Sequence, residues 1–469
     1  MLYFGTECSI FEKEIKYVAE SLFRIMNLKW RWIEISELKN LKKKDFVIIY
    51  GDRFDKFAYS RVPCNILGIR NSKKLFGTNF KKSESICIEP IILKEFVSLY
   101  RENDNSYTSD INVVNYDIIA DCFFMLSRYE EYFDINPTPR DEYGRFSGKD
   151  SIAYKFGFLN RPIVDEWAFY IKKYIVNSGC IFAKQIIDRK PKLLVTHDVD
   201  TLNRYSDWIE AVLGMYKKEI SFKELILGKN PYDNLLKIAR WEYKKNISAD
   251  YYFIPVKEEN NADYSINNKK LKKKINVLCG LGHQIGYHAG FNTSDNMDLY
   301  SKEIKNLREV LGEKYKIIGS RQHYLKNKIP DTFLALEQQG ILYDTTLAFA
   351  DMEGFRCGTC HPFKHWNIFL RREMNIWEIP LVFMDVTLKN YQKYSTTILR
   401  EKFEEYYKIV EKFEGVLNIL WHNNRFAEAE WKDYNKEYCS YVKLLSNRLC
   451  SCNGKKIIDE YKKMEDCNG

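Results

Sequence analysis

The stretch KLLVTHDVD, residues 192–200, decides how this chain reads. Three apolar residues, Leu193 to Val195, run into His197, Asp198 and Asp200, charges that are costly wherever water is excluded. A short apolar run bounded by polar, turn-forming residues predicts a buried strand that stops at the edge of a sheet. Residues i and i+2 of a strand share a face, so Asp198 and Asp200 can project into one pocket. There one carboxylate can hold a divalent ion while the other takes a proton from water. A plainer reading of Asp-x-Asp, an N-cap or turn pair before TLNRYSDW, stays open at this point.

Working outward, strands and helices alternate from residue 193 onward. LLVTHD, ADYYFIPV, QIGYHAG, IIGSRQHYL, WEIPLVFMDVTL and GVLNILWHNN read as strands. NPYDNLLKIARWEYKKN, NKKLKKKINVLCGLG, SDNMDLYSKEIKNLREVLGEK and PDTFLALEQQG read as helices, the last with a glycine C-cap. This alternation predicts a parallel α/β sheet or barrel, in which reactive groups gather beyond the C-terminal ends of the strands. Of the seven histidines, His197, His288, His323 and His422 fall at the ends of separate predicted strands. Beside them stand Asp198, Asp200, Arg321, Asp385 and the run Asn423-Asn424-Arg425. Imidazole and carboxylate together are the ligand set of Zn²⁺ or a similar ion.

Residues 1–188 read as a smaller α/β domain of no assigned role. The helix-like SIFEKEIKYVAESLFRIM is followed by the short strands DFVIIYGD and ICIEPII, and by helices over 115–135 and 162–176. DRKPK at 188–192, charged and proline-bearing, reads as a linker, and 189–469 as the second domain. The chain of 469 residues has room for two cores, and its 45% hydrophobic and 29% charged content is that of an ordered globular protein. A net charge of +9 over this length does not demand nucleic acid. No apolar run approaches the ~20 residues of a transmembrane helix. The N-terminus lacks the pattern of an export signal. The twelve cysteines therefore read as reduced thiols of a cytoplasmic protein.

With these residues in view, 193–430 resembles the polysaccharide deacetylase superfamily, metal-dependent carbohydrate esterases that remove N-acetyl groups from glycans. Five segments in the family's order carry the resemblance: THDVD, IGYHAGFN, SRQHYL, EIPLVFMDVTL and NILWHNN. The segments LSRYEEY, RDEYGRFS and GFLNRPIVDEW resemble the uncharacterised domain that precedes a divergent branch. The fold implied is a distorted (β/α) barrel catalytic domain behind a smaller α/β domain. The resemblance implies Asp198 as base, Arg321 as its orienting partner, and the backbone N–H of Tyr324 as an oxyanion donor. It further implies His422 as general acid, and Asp200 and His288 as ligands of a divalent ion such as zinc. The substrate implied is an N-acetylated glycan or glycan precursor.

Two positions depart from the family. Asn292 stands where the second histidine of His-x-x-x-His belongs, and His323 stands where proline is usual. His323 is the first choice for a third ligand, with Asn292 and His197 next. His283, five residues before His288, would face the opposite side of the strand. Without a third ligand the chain would be a non-catalytic glycan-binding module; a hydrolase of another amide or ester is the remaining alternative. Trp421, Tyr287 and Phe355 are candidate walls for sugar rings, although aromatic residues more often fill cores. CGTCH at 357–361 reads as structural thiols ahead of a second metal site, with His361 and His365 the candidate partners, and KKLKKK at 269–274 as a solvated helix face.

Overall fold

The computed structural model describes residues 1–52, 54, 59, 61–77, 88, 90–100, 112–132, 140–205, 208–216, 230–257, 261–312 and 315–466. Strands β1 (Leu2–Thr6), β2 (Arg31–Trp32), β3 (Phe46–Gly51), β4 (Asn65–Arg70) and β7 (Asn112–Val114) form a parallel five-stranded sheet in the order 2-1-3-4-7. The pair β5 (Ile91–Ile92) and β6 (Val97–Ser98) stands apart as a small antiparallel ribbon. Of the strand expected over 86–92, residues 86, 87 and 89 lie outside the described residues.

The larger sheet is built from β8 (Lys192–Val199), β9 (Ala249–Phe253), β10 (Gln284–Ala289), β11 (Gly319–Gln322), β12 (Tyr343–Asp344), β13 (Phe363–Asn367), β14 (Arg372–Glu378), β15 (Phe383–Met384), β16 (Val416–Leu420) and β17 (Cys450–Ser451). Their order is 13-14-12-11-10-9-8-16-15, with β17 also on β8, and every pairing except β13–β14 is parallel. β8, β9 and β16 are buried along their whole length, as parallel strands covered on both faces should be. Helices Leu235–Lys244, Lys269–Gly280, Asp298–Leu311, Asp331–Gln338 and Thr396–Phe413 supply crossovers between parallel neighbours.

The result is a mixed α/β protein whose main sheet is curled and, among the described residues, not closed by strand pairing. Pairing ends at β13 and β15, and residues 379–382 cross the gap between β14 and β15. There Asn418 of β16 donates from Nδ2 to Ile379 O at 3.0 Å and accepts Val382 N at 3.1 Å. The expected strand WEIPLVFMDVTL is therefore three things: the end of β14, the short β15, and a helical turn at Thr387–Tyr391. Pro380 has no N–H for a central ladder, which accounts for the break.

One apolar core runs through both parts of the chain, from Leu2 to Leu449. Tyr17 of helix Glu12–Met26 packs on Trp366 of β13, with centroids 5.0 Å apart, and donates its hydroxyl to Lys364 O at 2.7 Å. A buried ion network of Arg128, Glu130, Glu131 and Arg356 ties the end of helix Ile118–Leu126 to the loop ahead of β13. Within 188–192 Asp188 and Lys190 are exposed, but Arg189 and Lys192 are buried and anchor the segment. The Arg189 guanidinium donates to the carbonyls of Arg24 and Ile25.

Candidate metal and active site

The C-terminal ends of β8, β10, β11, β15 and β16 converge on one small volume. β8 delivers Asp198 and, just past its end, Asp200, and β10 delivers His288 against both. His288 Nε2 lies 3.6 Å from Asp198 Oδ2 and 3.3 Å from Asp200 Oδ1. Its other nitrogen, Nδ1, donates to Arg321 O at 2.9 Å. A carbonyl can only accept, so Nδ1 carries a hydrogen and Nε2 is the nitrogen turned toward the carboxylates.

His323 follows β11 and brings Nε2 to 3.6 Å from Asp200 Oδ2. His422 follows β16 and brings Nε2 to 3.6 Å from the same oxygen. Its Nδ1 is held by Asp385 Oδ1 at 2.7 Å, and its backbone N–H by Asp385 Oδ2 at 2.8 Å. Arg321 reaches across the sheet to Asp198 Oδ1 at 3.2 Å and to Thr196 Oγ1 at 2.8 Å. The guanidinium is fixed from behind by Thr345 O at 3.1 Å and by the Tyr252 ring 5.0 Å away.

The electrostatics follow from this crowding. Burial opposes ionisation of Asp200, yet His323, His288 and His422 hold its carboxyl well below the ordinary range. Burial also opposes charge on His422, but Asp385 beside it, with Asp200 and Asp198, pushes it up to about 9. His288 is raised in the same way, with Asp198 the strongest charge against its burial.

One donor atom each from Asp200, His288 and His323 lies within 4.8 Å of the others. Asp200 Oδ1, His288 Nε2 and His323 Nδ1 are buried and have no hydrogen-bond partner among the described residues. Ligands at about 2.0–2.2 Å around a tetrahedral ion stand roughly 3.3–3.6 Å apart; His288 Nε2 lies 3.3 Å from Asp200 Oδ1, and His323 turns its other nitrogen, Nε2, to within 3.6 Å of the second oxygen, Oδ2. The donor set therefore fits a divalent cation. A cavity of about 270 Å³ opens beside it, lined among others by Tyr143, Tyr324, Tyr391 and Arg425.

Other candidates lie elsewhere. His197 alternates to the opposite face of β8, where Glu242 Oε1 holds Nε2 at 2.7 Å and Trp421 O holds Nδ1 at 2.6 Å. It has no lone pair left for a metal. Asn292 is solvent-exposed and does not line the cavity. His283 accepts the N–H of Ala249 at 3.2 Å, remote from Asp200. The expected sugar walls are corrected too: Trp421, Tyr287 and Phe355 are all buried core residues. Trp421 stacks on Tyr438 and Tyr287 hydrogen-bonds Glu303. Sequence reasoning missed Tyr143, Arg145 and Tyr391, and the bond from Asp385 to His422. Only Asp385 had a sequence signal, as a carboxylate at a predicted strand end.

Residues 5–179 match the model of a family of unknown function (DUF7033). No curated protein matches the chain. Among solved structures, it is similar to a probable polysaccharide deacetylase from Pseudomonas aeruginosa PAO1, with 10% identity, a TM-score of 0.39, and coverage of 59% of this chain and 92% of that one. It is also similar to Puue allantoinase (10%, 0.40, 60% and 92%) and to the chitin deacetylase of the fungal pathogen Colletotrichum lindemuthianum (10%, 0.30, 58% and 88%). At such scores, a functional reading has to stand on the site's own geometry.

Proposed function

We propose that this chain is a metal-dependent hydrolase that removes N-acetyl groups from a glycan or glycan precursor. The observation that supports it best is the set of unengaged donors on Asp200, His288 and His323, with Asp198 on one flank and His422 on the other. Those three residues would hold zinc or a similar divalent ion. Bound there, the ion would acidify a water molecule and polarise the amide carbonyl.

Asp198 takes the proton from the attacking water. Its geometry is maintained by Arg321, whose guanidinium is itself fixed by Thr196 and Thr345. The backbone N–H of Tyr324 donates to the oxyanion that forms as water oxygen bonds to the acyl carbon. His422, held protonated near neutral pH by Asp385, gives its proton to the sugar nitrogen as the C–N bond breaks. Acetate and a free amine leave. The Asp385 contact also fixes the imidazole so that Nε2, not Nδ1, faces the reacting atoms.

Metal analysis of the purified chain, beside Asp200→Ala, His288→Ala and His323→Ala, tests this reading. About one equivalent in the wild type, lost in the variants, together with acetate release from N-acetylated sugars, is the expected result. A wild type that takes up no zinc overturns it.

A further inference from the structure

The cavity beside Asp200 has one wall that does not come from the main sheet. Residues 140–146 form a tight hairpin tip in which Arg140 bridges Phe146, and Gly144 takes the left-handed φ of +80°. Asp141 Oδ1 accepts the N–H groups of Tyr143 at 3.0 Å and Arg145 at 2.8 Å, which stiffens the tip from within. Arg145 is buried, and each arm of its guanidinium is engaged. Nε donates to Asp141 Oδ2 at 2.7 Å, Nη1 to Tyr324 O at 3.0 Å, and Nη2 to Tyr391 Oη at 3.0 Å.

The Tyr324 contact matters because of the backbone it holds. Tyr324 and Leu325 both have φ of +58°, two consecutive left-handed residues with side chains. Such a turn is strained for residues with side chains and persists only where its surroundings over-determine it. The Tyr143 ring lies 5.1 Å from the Tyr324 ring, with Arg145 4.8 Å above its face, and both tyrosines line the cavity.

We infer that the 140–146 hairpin is a working part of the site: Arg145 is a positioning residue that fixes the left-handed Tyr324 turn, and Tyr143 forms a stacking wall for the substrate ring. This gives a role to a segment inside the match to a family of unknown function. It rests on the hydrolase reading above for its substrate. Losing Arg145 lets the turn relax and misaligns the Tyr324 N–H, so kcat falls about tenfold to a hundredfold with KM nearly unchanged. Losing Tyr143 instead raises KM about three- to tenfold with kcat retained.

The test follows amide hydrogen exchange over residues 322–326, zinc content, and acetate release from an N-acetylglucosamine oligomer. The proteins are wild type, Arg145→Ala, Arg145→Lys, Tyr391→Phe and Tyr143→Ala. Faster exchange confined to 322–326 in Arg145→Ala, with zinc retained and partial recovery in Arg145→Lys, supports the inference, as does the kcat-against-KM split. Tyr391→Phe removes one anchor of Arg145 at a partly exposed position and gives the same local signature if Arg145→Ala does not fold. Unchanged exchange there, exchange rising evenly along the chain, or a loss carried wholly by KM in Arg145→Ala overturns it. The local signature in Arg145→Ala, beside a wild type that releases no acetate, supports the positioning role and removes the deacetylase reading.

Discussion

Among the described residues, two places bring three potential metal donors within 4.8 Å of one another, and they differ in what their lone pairs are already doing. At Asp200, His288 and His323, buried donor atoms have no hydrogen-bond partner among the described residues, and a cavity opens alongside. At Asp165, Cys360 and His361, the donors are engaged. Asp165 accepts Thr359 Oγ1 at 2.5 Å, Cys360 N at 2.8 Å and Cys360 Sγ at 3.0 Å. His361 donates from Nε2 to Phe413 O at 2.9 Å and accepts the Tyr461 hydroxyl at Nδ1, at 2.5 Å. The charges differ in the same sense. Asp200 is held ionised, whereas burial pushes the Cys360 thiol well up, away from the thiolate a metal needs. Proximity of ligand types alone does not make a metal site; unengaged lone pairs facing a cavity are what the proposed site has and the other cluster lacks. Cys-x-x-Cys-His here is a packed corner of the core.

The largest expected effect breaks the first cluster. Asp200→Ala abolishes zinc uptake and brings acetate release to background, read by metal analysis and product assay. Asp198→Asn, beside it, keeps the metal and loses roughly 10²–10⁴-fold in kcat, as removal of a general base should. Equal metal loss in both variants would break the division of labour between the two aspartates.

The second cluster answers to stability instead. Asp165→Ala leaves the Thr359 hydroxyl and Cys360 N–H without their acceptor and costs about 2–4 kcal/mol in a denaturant titration, with zinc content unchanged. A pH series sharpens the contrast. Burial raises Asp165 to about 7, so the folded state holds that proton more tightly than the unfolded chain does. Its contribution to stability is complete below the ordinary carboxyl pKa and is lost as pH rises through about 7. Wild type therefore loses stability between pH ~4 and ~7 relative to Asp165→Asn, which carries no titrating proton there. Parallel curves would mean that Asp165 is ionised in the fold and that the corner is more polar than its burial suggests.

These contrasts also show what the sequence could and could not yield. The buried parallel strands were legible because LLV, YYF and LNIL are apolar runs that end in chemistry. Asp198 and Asp200 were legible as a pair because a strand's period of two puts them on one face, and the same period puts His197 on the other. The antiparallel β13–β14 hairpin was not read, since its alternation is interrupted by a register shift between Lys364 and Trp366. The walls of the cavity were not legible either. Burial, not residue type, separates the core aromatics Trp421, Tyr287 and Phe355 from the cavity residues Tyr143, Tyr324 and Tyr391. The bond from Arg145 to Tyr324 spans 179 residues, with no local pattern to announce it.

The smallest expected effect tests the departure that made the sequence look deficient. By the sequence resemblance, Asn292 stands where a second motif histidine would be expected, so a chain judged by motif alone has two ligands and a vacancy. In the structure Asn292 is exposed at the entry to the short helical turn Thr293–Asp295, while His323 stands against Asp200 from the next strand. Substituting Asn292→Ala should leave zinc content and kcat within error of wild type, whereas His323→Ala should lower zinc occupancy at equal metal concentration. A loss of metal in Asn292→Ala would mean that this loop folds inward when the ion binds, and that Asn292 joins the ligand set. An unchanged Asn292→Ala beside a depleted His323→Ala would mean that the third ligand has moved to the adjacent strand. Parallel neighbours present their ends to the same volume, so such a transfer needs no change in the sheet.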